Sequence, residues 1–390
     1  MQADMVRCGV IGAGKMGAGH AELLAKDANA TFVAVADVRR AVAESVASAW
    51  AGVAYEDYEE MIDKEDLDLA IIATPDALHM APAMACCQAG IKNLVIQKPL
   101  ATKLEEARAI MEAAEGSGTQ VFVWYSNRGF VSDMATKYAI TSGMIGRVIY
   151  GDIAMDDNVN VPRYAWGERT REWVAGSSPA QFLTTHALDR LMWYSGAHVQ
   201  KVYAIEQREL LKYTPDLIDA FLLFDSGLKA RVRTGWVHHV EASIESGEQF
   251  NGTHGQIISL RSARYNVARG WQVNLAERPS FEELDHHQQV LRKRGLSTRI
   301  FWRDTAASGW NPGIAAGLEV MPAETLNRDI LSFVVDALVE GTIEPESWRA
   351  WQGAGPLPMG DVALENVRVI DAIERSIRTG LPVEITQQQE

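Results

Sequence analysis

Three glycines with the spacing G-x-G-x-x-G follow the first apolar run of the chain, in the stretch GVIGAGKMGAGH. Gly12 permits a tight turn, Gly14 lets the backbone approach a pyrophosphate, and Gly17 allows a helix to pack closely on a strand. Asp37 ends the next apolar run, roughly 20 residues beyond Gly17, where its carboxylate can accept a hydrogen bond from a ribose 2′-hydroxyl. This combination predicts a dinucleotide site; the alternative is a glycine turn that holds no nucleotide.

The choice of nucleotide depends on the residues around Asp37. Its carboxylate would repel a 2′-phosphate, which favours NAD over NADP. Arg39 and Arg40 oppose that preference, because either guanidinium could pair with the phosphate while Asp37 turns away. We expect NAD as the cofactor, with NADP less favoured.

A lysine directly before a proline, Lys98 in VIQKPLA, closes a later apolar run. The proline disfavours helix at Lys98 and should hold it extended at the carboxyl end of a strand, where ligands gather in open α/β sheets. Removing a hydride from a carbinol carbon also requires loss of the hydroxyl proton, so such a site needs a base and a cation near the developing oxyanion. Lys98 fits the cation; the alternative is a solvated lysine at a strand end.

The elements that must position these residues show an α/β rhythm. Short apolar runs alternate with longer amphipathic stretches from Val6 to about Ala101, which is typical of βαβ units in a parallel sheet. A further helix and strand follow, so residues 1–125 should form a Rossmann dinucleotide-binding domain.

The remaining residues, 126–390, alternate strand-like pieces with turns. This predicts an α+β domain with a mostly antiparallel open sheet, for substrate binding and oligomerisation. Within it, residues 262–322 have little periodicity and are interpreted as an insertion or loop region. Helical periodicity returns at 323–341 and 361–380.

The composition is that of an ordinary globular protein of 390 residues, with 47% hydrophobic and 23% charged residues. A formal net charge of −14 argues against a nucleic-acid or anionic-membrane partner. The three cysteines, two of them adjacent, fit neither a disulfide framework nor a metal motif. Without a recognisable export signal or a long apolar segment, we expect a cytoplasmic protein that does not enter a membrane.

Several further motifs make the chain resemble the family of glucose-fructose oxidoreductase, inositol dehydrogenase and the rhizopine-catabolism protein MocA. They are ATPDALH with Thr74, Pro75 and His79, QKP with Gln97, Lys98 and Pro99, YSNRGF with Tyr125, Asn127 and Arg128, and SGMIGRV from Ser142 to Val148. The resemblance covers most of the length and implies a lysine that reaches both the nicotinamide ribose and the reacting hydroxyl, here Lys98. The family usually has glutamate where this chain has Gln97, so a negative charge beside the lysine is removed.

The family's second signature, Asp-x-x-x-His-x-x-Asp on a helix, resembles AGSSPAQFLTTHALDRLMWY at His186 and Asp189. Its first aspartate falls on Phe182, which offers an apolar wall instead of a carboxylate. Gln181 or Thr185 could supply a hydrogen bond instead. An imidazole titrates near neutrality, so we expect His186 to accept the hydroxyl proton, with Asp189 either orienting it or packing the helix.

The segment before His186 is rich in arginine and aromatic residues, namely Arg163, Tyr164, Trp166, Arg169, Arg171 and Trp173. Aromatic faces stack on sugar rings and guanidinium groups bind acidic groups in a forked geometry, so an acidic sugar or sugar glycoside is a candidate substrate. The alternative is loop packing and surface charge. No metal is expected, because the adjacent His286 and His287 lack further ligands at metal-site spacing. An exposed sheet face and many tryptophans favour a homo-oligomer, a dimer or tetramer.

The predicted cofactor-binding residues are Gly12, Gly14, Lys15, Met16, Gly17, Asp37, Arg39, Thr74, Pro75, His79, Gln97, Lys98 and Asn127. The predicted substrate-binding residues are Tyr125, Arg163, Trp166, Arg171, Trp173, Gln181, Thr185 and His186, and the predicted catalytic residues are Lys98 and His186.

The leading hypothesis is an NAD(P)-dependent oxidoreductase that acts on a hydroxyl of a sugar, a polyol or an acidic sugar derivative. An alternative is a glycoside hydrolase that uses bound NAD for transient oxidation and elimination, with no net redox change; Gln97 and Phe182 favour it. A third hypothesis is a regulatory protein that binds the cofactor without catalysis, and the presence of both Lys98 and His186 argues against it.

Overall fold

The computed structural model describes residues 5–165, 167–239, 244–262, 270–275, 279–304, 314–320, 328–352 and 356–386. The chain divides into two compact units, Met1–Ser126 with Arg328–Asp371, and Asn127–Asn327 with Ala372–Glu390. The expected second domain, 126–390, therefore differs from the second unit, because Arg328–Asp371 belongs to the first. None of the described helices is long and apolar enough to cross a membrane.

Elements are numbered in chain order. The strands are β1 Val6–Ile11, β2 Ala30–Ala36, β3 Val53–Tyr55, β4 Leu69–Ile72, β5 Asn93–Gln97, β6 Gln120–Trp124, β7 Val148–Asn158, β8 Val199–Gln207, β9 Leu217–Phe224, β10 Lys229–His238, β11 Glu245–Gly252, β12 Gly255–Ser262, β13 Gln272–Leu275, β14 Thr298–Asp304, β15 Ile314–Val320 and β16 Val383–Glu384. The helices are α1 Lys15–Lys26, α2 Arg40–Trp50, α3 Tyr58–Lys64, α4 Met80–Gln88, α5 Leu104–Ser117, α6 Val131–Thr141, α7 Val161–Tyr164, α8 Thr170–Ala175, α9 Thr185–Ser195, α10 Phe281–Lys293, α11 Ile330–Glu340, α12 Glu346–Gln352 and α13 Gly360–Thr379.

The first unit is a doubly wound parallel sheet of six strands in the order β3-β2-β1-β4-β5-β6. Every residue of β4 and all but the first of β5 are buried, since helices cover both faces of a parallel sheet, which explains the apolar runs at 69–72 and 94–96. Ala363 and Val367 of α13 join this core. The predicted Rossmann fold is confirmed, and the strand order reverses between β1 and β4, where ligands bind in such sheets.

The second unit contains a sheet of ten strands in the order β14-β15-β13-β12-β11-β7-β10-β9-β8-β16. Only β7 and β10 pair in parallel among the strands described, so the predicted mostly antiparallel sheet is confirmed. Residues of β9 alternate between a buried face and an open face, where Phe221 and Leu223 are exposed. On β8 the open face carries Tyr203 and Ile205.

The interpretation of residues 262–322 as an insertion or loop is wrong for the part the structure describes. β13, β14 and β15 extend the large sheet, and α10 begins with a capping box between Ser280 and Glu283. Short strands of this kind depend on partners distant in the sequence, so local periodicity does not reveal them. The predicted helices at 323–341 and 361–380 correspond to α11 and α13.

Arg190 on α9 is the centre of a buried ion cluster. Its Nε lies 2.7 Å from Asp133 Oδ1 and its Nη2 lies 2.5 Å from Glu248 Oε2. Tyr194 donates a 2.7 Å hydrogen bond to Asp133, and Arg190 donates a 3.0 Å bond to Ser246. Burial alone would lower the pKa of Arg190, but the Glu248 and Asp133 carboxylates outweigh it and raise the pKa. This Arg190 cluster joins α6 and α9 to β11 of the sheet.

Replacing Arg190 by Leu should destabilise the protein by about 3–5 kcal/mol, because it leaves two buried carboxylates without a countercharge. The control is Arg40→Leu, which removes an exposed pair with Glu44 and should leave the unfolding midpoint unchanged. Chemical denaturation of both variants at neutral pH measures the difference. Equal midpoints for the two variants would show that the Arg190 cluster is not needed for stability.

Candidate functional site

The glycine turn after β1 leaves no room for side chains at two positions. Gly12 has φ +98°, and a Cβ there would lie 2.6 Å from the Ala73 carbonyl oxygen. A Cβ on Gly17 would lie 1.7 Å from the Gly12 carbonyl oxygen. At Gly14, by contrast, a Cβ would meet nothing within 4 Å among the described atoms. Gly12 and Gly17 therefore allow close backbone packing, and Gly14 leaves a space through which a ligand can approach the backbone.

The space next to Gly14 lies at the start of α1. Gly14 is the N-cap of this helix and has no side chain to bond its first N–H groups. Lys15 and Met16, the first two helical residues, are exposed. A helix N-terminus with uncapped N–H groups and the positive end of the helix dipole suits a phosphate group.

Asp37 lies just beyond β2 and holds the glycine turn. Its Oδ2 accepts a 2.9 Å hydrogen bond from the Ala13 N–H, and its Oδ1 accepts bonds from the Arg39 N–H (2.9 Å) and Nε (3.1 Å). Burial opposes ionisation of Asp37, but these hydrogen bonds from Arg39 and Ala13 outweigh it and lower the pKa. The carboxylate is therefore ionised and already engaged with Arg39, the residue expected to bear on the choice of nucleotide.

Thr74 and Pro75, directly after β4, form the next turn at this edge of the sheet, and Pro75 is exposed. His79, expected to bind cofactor, is instead only 1% exposed. Its Nδ1 lies 2.8 Å from the Pro99 carbonyl oxygen and its Nε2 lies 3.1 Å from that of Thr74. The ring thus contacts the turns of Thr74 and of Pro99, and its expected role in cofactor binding stays a prediction.

Lys98 directly follows β5, as predicted from the sequence, and the structure shows it half-buried. Its peptide bond to Pro99 is cis. Gln97, the residue before it, is buried, and its Nε2 lies 2.5 Å from Nε2 of His20. His20 on α1 was not among the predicted site residues. Its position three residues after Gly17, on the face of α1 that meets the sheet, was the available signal.

Tyr125 and Asn127, which follow β6, have different surroundings. Tyr125, predicted to bind substrate, is fully buried, and its ring packs among apolar residues in the core of the first unit. Asn127 is 6% exposed, and its Nδ2 has no hydrogen-bond partner within the described part of the chain. A buried amide with an unsatisfied donor fits a residue that binds a ligand.

In the second unit, His186 lies in the first turn of α9 and is buried. The five residues before α9, Ala180–Thr184, form a π-helical turn, a rare form that occurs frequently at functional sites. Asp189 accepts hydrogen bonds from Arg128 at 3.0 Å (Nε) and 2.6 Å (Nη2), and both side chains are buried. This pairing supports the helix-packing alternative for Asp189 over orientation of His186.

Three predicted substrate-binding residues lie in the interior of the second unit. Gln181 accepts a bond from Ser178 Oγ (2.6 Å) and donates one to Glu374 (2.6 Å). Trp173 is 8% exposed and packs edge-on against Phe182 at 5.1 Å between ring centres. Thr185 is fully buried. Trp173 and Gln181 are thus engaged with their own chain, and their expected role in substrate binding stays a prediction.

The arginines of the same segment remain accessible. Arg171 is exposed and lies 3.7 Å above the Tyr213 ring, whose hydroxyl donates a 2.9 Å bond to the Pro162 carbonyl oxygen. Arg163 is half-buried and Arg169 is exposed. Trp166 lies outside the described residues.

No group of three His, Cys, Asp or Glu side chains within the described ranges is placed to hold a metal ion. His287 instead lies with its Nδ1 2.8 Å from the Tyr138 hydroxyl, and His286 is its neighbour at 5.7 Å between ring centres. The residues of the first unit do fit a dinucleotide. The open space at Gly14, the uncapped start of α1 and Asp37 all lie at one edge of the first sheet.

Sequence profiles of one family match both units. A profile described as the oxidoreductase family, NAD-binding Rossmann fold, matches residues 6–125. A second, described as the GFO/IDH/MocA C-terminal domain, matches residues 134–258.

Curated relatives include an inositol 2-dehydrogenase of Acidothermus cellulolyticus, 30% identical over 70% of this chain and 80% of that enzyme. A scyllo-inositol 2-dehydrogenase (NAD(+)) of Bacillus subtilis is 26% identical over 74% of this chain and 86% of the relative. The alignment with an inositol 2-dehydrogenase of Rubrobacter xylanophilus, at 30% identity, covers 52% of this chain and 55% of that enzyme, so this chain spans about half of its length.

Solved structures share the fold. The WlbA dehydrogenase from Bordetella pertussis, solved in complex with NADH and UDP-GlcNAcA, superposes with a TM-score of 0.76 at 19% identity over 100% of both chains. From the profile matches to both units and the relative at 30% identity, the chain belongs to the Gfo/Idh/MocA oxidoreductase family and contains its NAD-binding Rossmann domain.

Proposed function

We propose that the protein is an NAD-dependent dehydrogenase that oxidises a hydroxyl of a sugar, a polyol or an acidic sugar derivative, with Lys98 and His186 as catalytic residues. The observation that carries the proposal is the common edge of the first sheet. The glycine turn follows β1, Asp37 follows β2 and Lys98 follows β5, and parallel strands end at the same edge. This common edge supports a single site for cofactor and lysine.

The chemistry assigns a separate task to each group. Bound NAD would supply the acceptor for the hydride. The Lys98 ammonium would stabilise the charge that develops on the reacting oxygen, an effect that is strong in a site that excludes water. The His186 imidazole would take the hydroxyl proton, since a neutral imidazole nitrogen is a proton acceptor.

The arginines before α8 and at its start favour a substrate with an acidic group. Arg163, Arg169 and Arg171 have no carboxylate within ion-pair distance among the residues described, although the chain carries an excess of acids. Arg231 and Arg233 of the large sheet, in contrast, pair with Asp219 and Asp156. Stacking on Tyr213 presents the Arg171 guanidinium without neutralising it.

We also propose a cytoplasmic homo-oligomer, a dimer or tetramer, that forms through the open face of the large sheet. Exposed Tyr203, Ile205, Phe221 and Leu223 make this face apolar at β8 and β9. Phe221→Glu should shift the protein to a smaller species in sedimentation analysis. An unchanged sedimentation coefficient would exclude this face as the contact.

The experiment that tests the proposed function follows two products at once. Purified protein with NAD is given a panel of sugars, polyols, uronic acids and aryl glycosides, and reduced nicotinamide and released aglycone are both measured. Reduced cofactor that accumulates in step with substrate consumed establishes a dehydrogenase. Aglycone released over many turnovers without net reduced cofactor establishes the hydrolase alternative, for which the apolar Phe182 remains the motivating residue.

Replacing Lys98 by Met should lower turnover by about 10²–10⁴-fold, because the positive charge near the oxyanion is lost. The NAD dissociation constant and the unfolding temperature should change little. Lys103→Met is the control, since Lys103 is an exposed residue paired with Glu106. Full activity of the Lys98 variant would refute the catalytic role, and loss of folding would show a structural lysine.

Replacing Arg163 or Arg171 by Ala should raise the Michaelis constant for an acidic sugar by about 10-fold or more, the loss of one charge-assisted hydrogen bond. The constant for the neutral analogue of the same sugar should not change. Arg208→Ala, which removes a surface pair with Glu206, provides the control. Equal effects on acidic and neutral substrates would contradict recognition of an anion.

A further inference from the structure

Buried histidines lie on both sides of the turn that carries Lys98. On the amino side, Gln97 Nε2 is 2.5 Å from His20 Nε2. On the carboxyl side, the Pro99 carbonyl oxygen is 2.8 Å from His79 Nδ1. The residues before and after the lysine are thus each tied to an imidazole, and we call these two links the histidine bracket.

The His79 link joins two turns of the sheet edge. Both ring nitrogens face carbonyl oxygens, Nδ1 at 2.8 Å from that of Pro99 and Nε2 at 3.1 Å from that of Thr74. Burial is the main effect on this ring and lowers the pKa of His79, against the opposing charge of Asp76. The buried ring therefore contacts the turn of Lys98 from inside the protein.

The His20 link reaches the segment that returns to the first unit. The His20 ring packs edge-on against Trp124 at 5.2 Å, and the Trp124 indole donates a 2.9 Å bond to Asp329 Oδ1. Asp329 also caps α11 by accepting from the Leu331 N–H at 2.8 Å. Burial lowers the pKa of His20 although Asp329 opposes this, so the neutral ring can accept a hydrogen bond from the Gln97 amide. An amide at position 97 suits this uncharged contact.

We propose that His20 and His79 are positioning residues, which hold Lys98 in its reactive place by fixing the backbone on either side of it. The proposal rests on the proposed function, because it presumes that Lys98 is catalytic. A lysine side chain is flexible, and its reach is defined only if the backbone from which it extends is fixed. The bracket supplies that restraint from two independent elements, α1 and the start of α4.

Matched substitutions separate the two nitrogens of each ring. His79→Asn can keep a donor near the Nδ1 position for Pro99, whereas His79→Gln keeps only the contact of Nε2 with Thr74. For His20, whose link runs through Nε2, Gln is the conservative change and Asn the disruptive one. Gln97→Met removes the amide alone and serves where a histidine variant does not fold.

The bracket predicts that the disruptive variants His20→Asn, His79→Gln and Gln97→Met lower kcat by about 10–100-fold, the effect of misplacing a reacting group by a fraction of an ångström to an ångström. The conservative variants should keep most of the activity. The NAD dissociation constant, measured by calorimetry, and the unfolding temperature should be similar for the conservative and disruptive variants of each histidine. His254→Gln, at an exposed turn, is the control and should behave as the unchanged protein.

A measurement without cofactor or substrate gives an independent readout. Lysines are dimethylated with ¹³C, and the Lys98 methyl resonance is assigned by its absence in Lys98→Met. It should shift or broaden in the disruptive variants and stay in place in the conservative ones. If the disruptive and conservative variants of each histidine have equal kcat and the same Lys98 resonance, the proposal that His20 and His79 position Lys98 is wrong. Full activity of Lys98→Met would refute the proposed function instead, so the two failures are distinguishable.

Discussion

The first unit depends on backbone contacts that only glycine allows. The Gly12 carbonyl oxygen occupies the space where a Cβ of Gly17 would lie, and the Ala73 carbonyl does the same to Gly12. Strands β1 and β4 and helix α1 can therefore meet at backbone distance, which brings the start of α1 to the edge of the sheet. Two further contacts of the first unit depend on that placement, because Asp37 bonds the glycine turn and α1 carries His20 to Gln97.

In the second unit, buried ion pairs position the candidate site residue His186. On α9, His186 is followed within one turn by Asp189 and Arg190, and both are paired in the interior, with Arg128 and with the acids of the Arg190 cluster. Burying any of these charges without its partner would cost free energy. The ion pairs are therefore stable only when α6, α9 and β11 are correctly placed against one another. The helix of the candidate base is thereby held more specifically than apolar packing alone would hold it.

Residues with the chemistry of ligand binding are also good interior residues, and this accounts for the burial of several predicted site residues. Trp173 and Tyr125 have large apolar rings that gain more from burial than from exposure, and Gln181 satisfies its amide through Ser178 and Glu374. Arg171 has no such option, because a guanidinium without a carboxylate partner is too costly to bury. Among these four residues the three enclosed side chains are neutral and the exposed one is charged.

Local spacing in the sequence determined the glycine turn, the parallel sheet, the strand end at Lys98 and the family, since each rests on contacts between residues close in the chain or on one repeated pattern. Folding in three dimensions decided the rest. The return of Arg328–Asp371 to the first unit, the strands within 262–322 and the pairing of Asp189 with Arg128 all join distant residues. The roles of His20 and His79 follow the same rule, because a histidine becomes a neutral link only when burial excludes water and a partner from another element meets its ring.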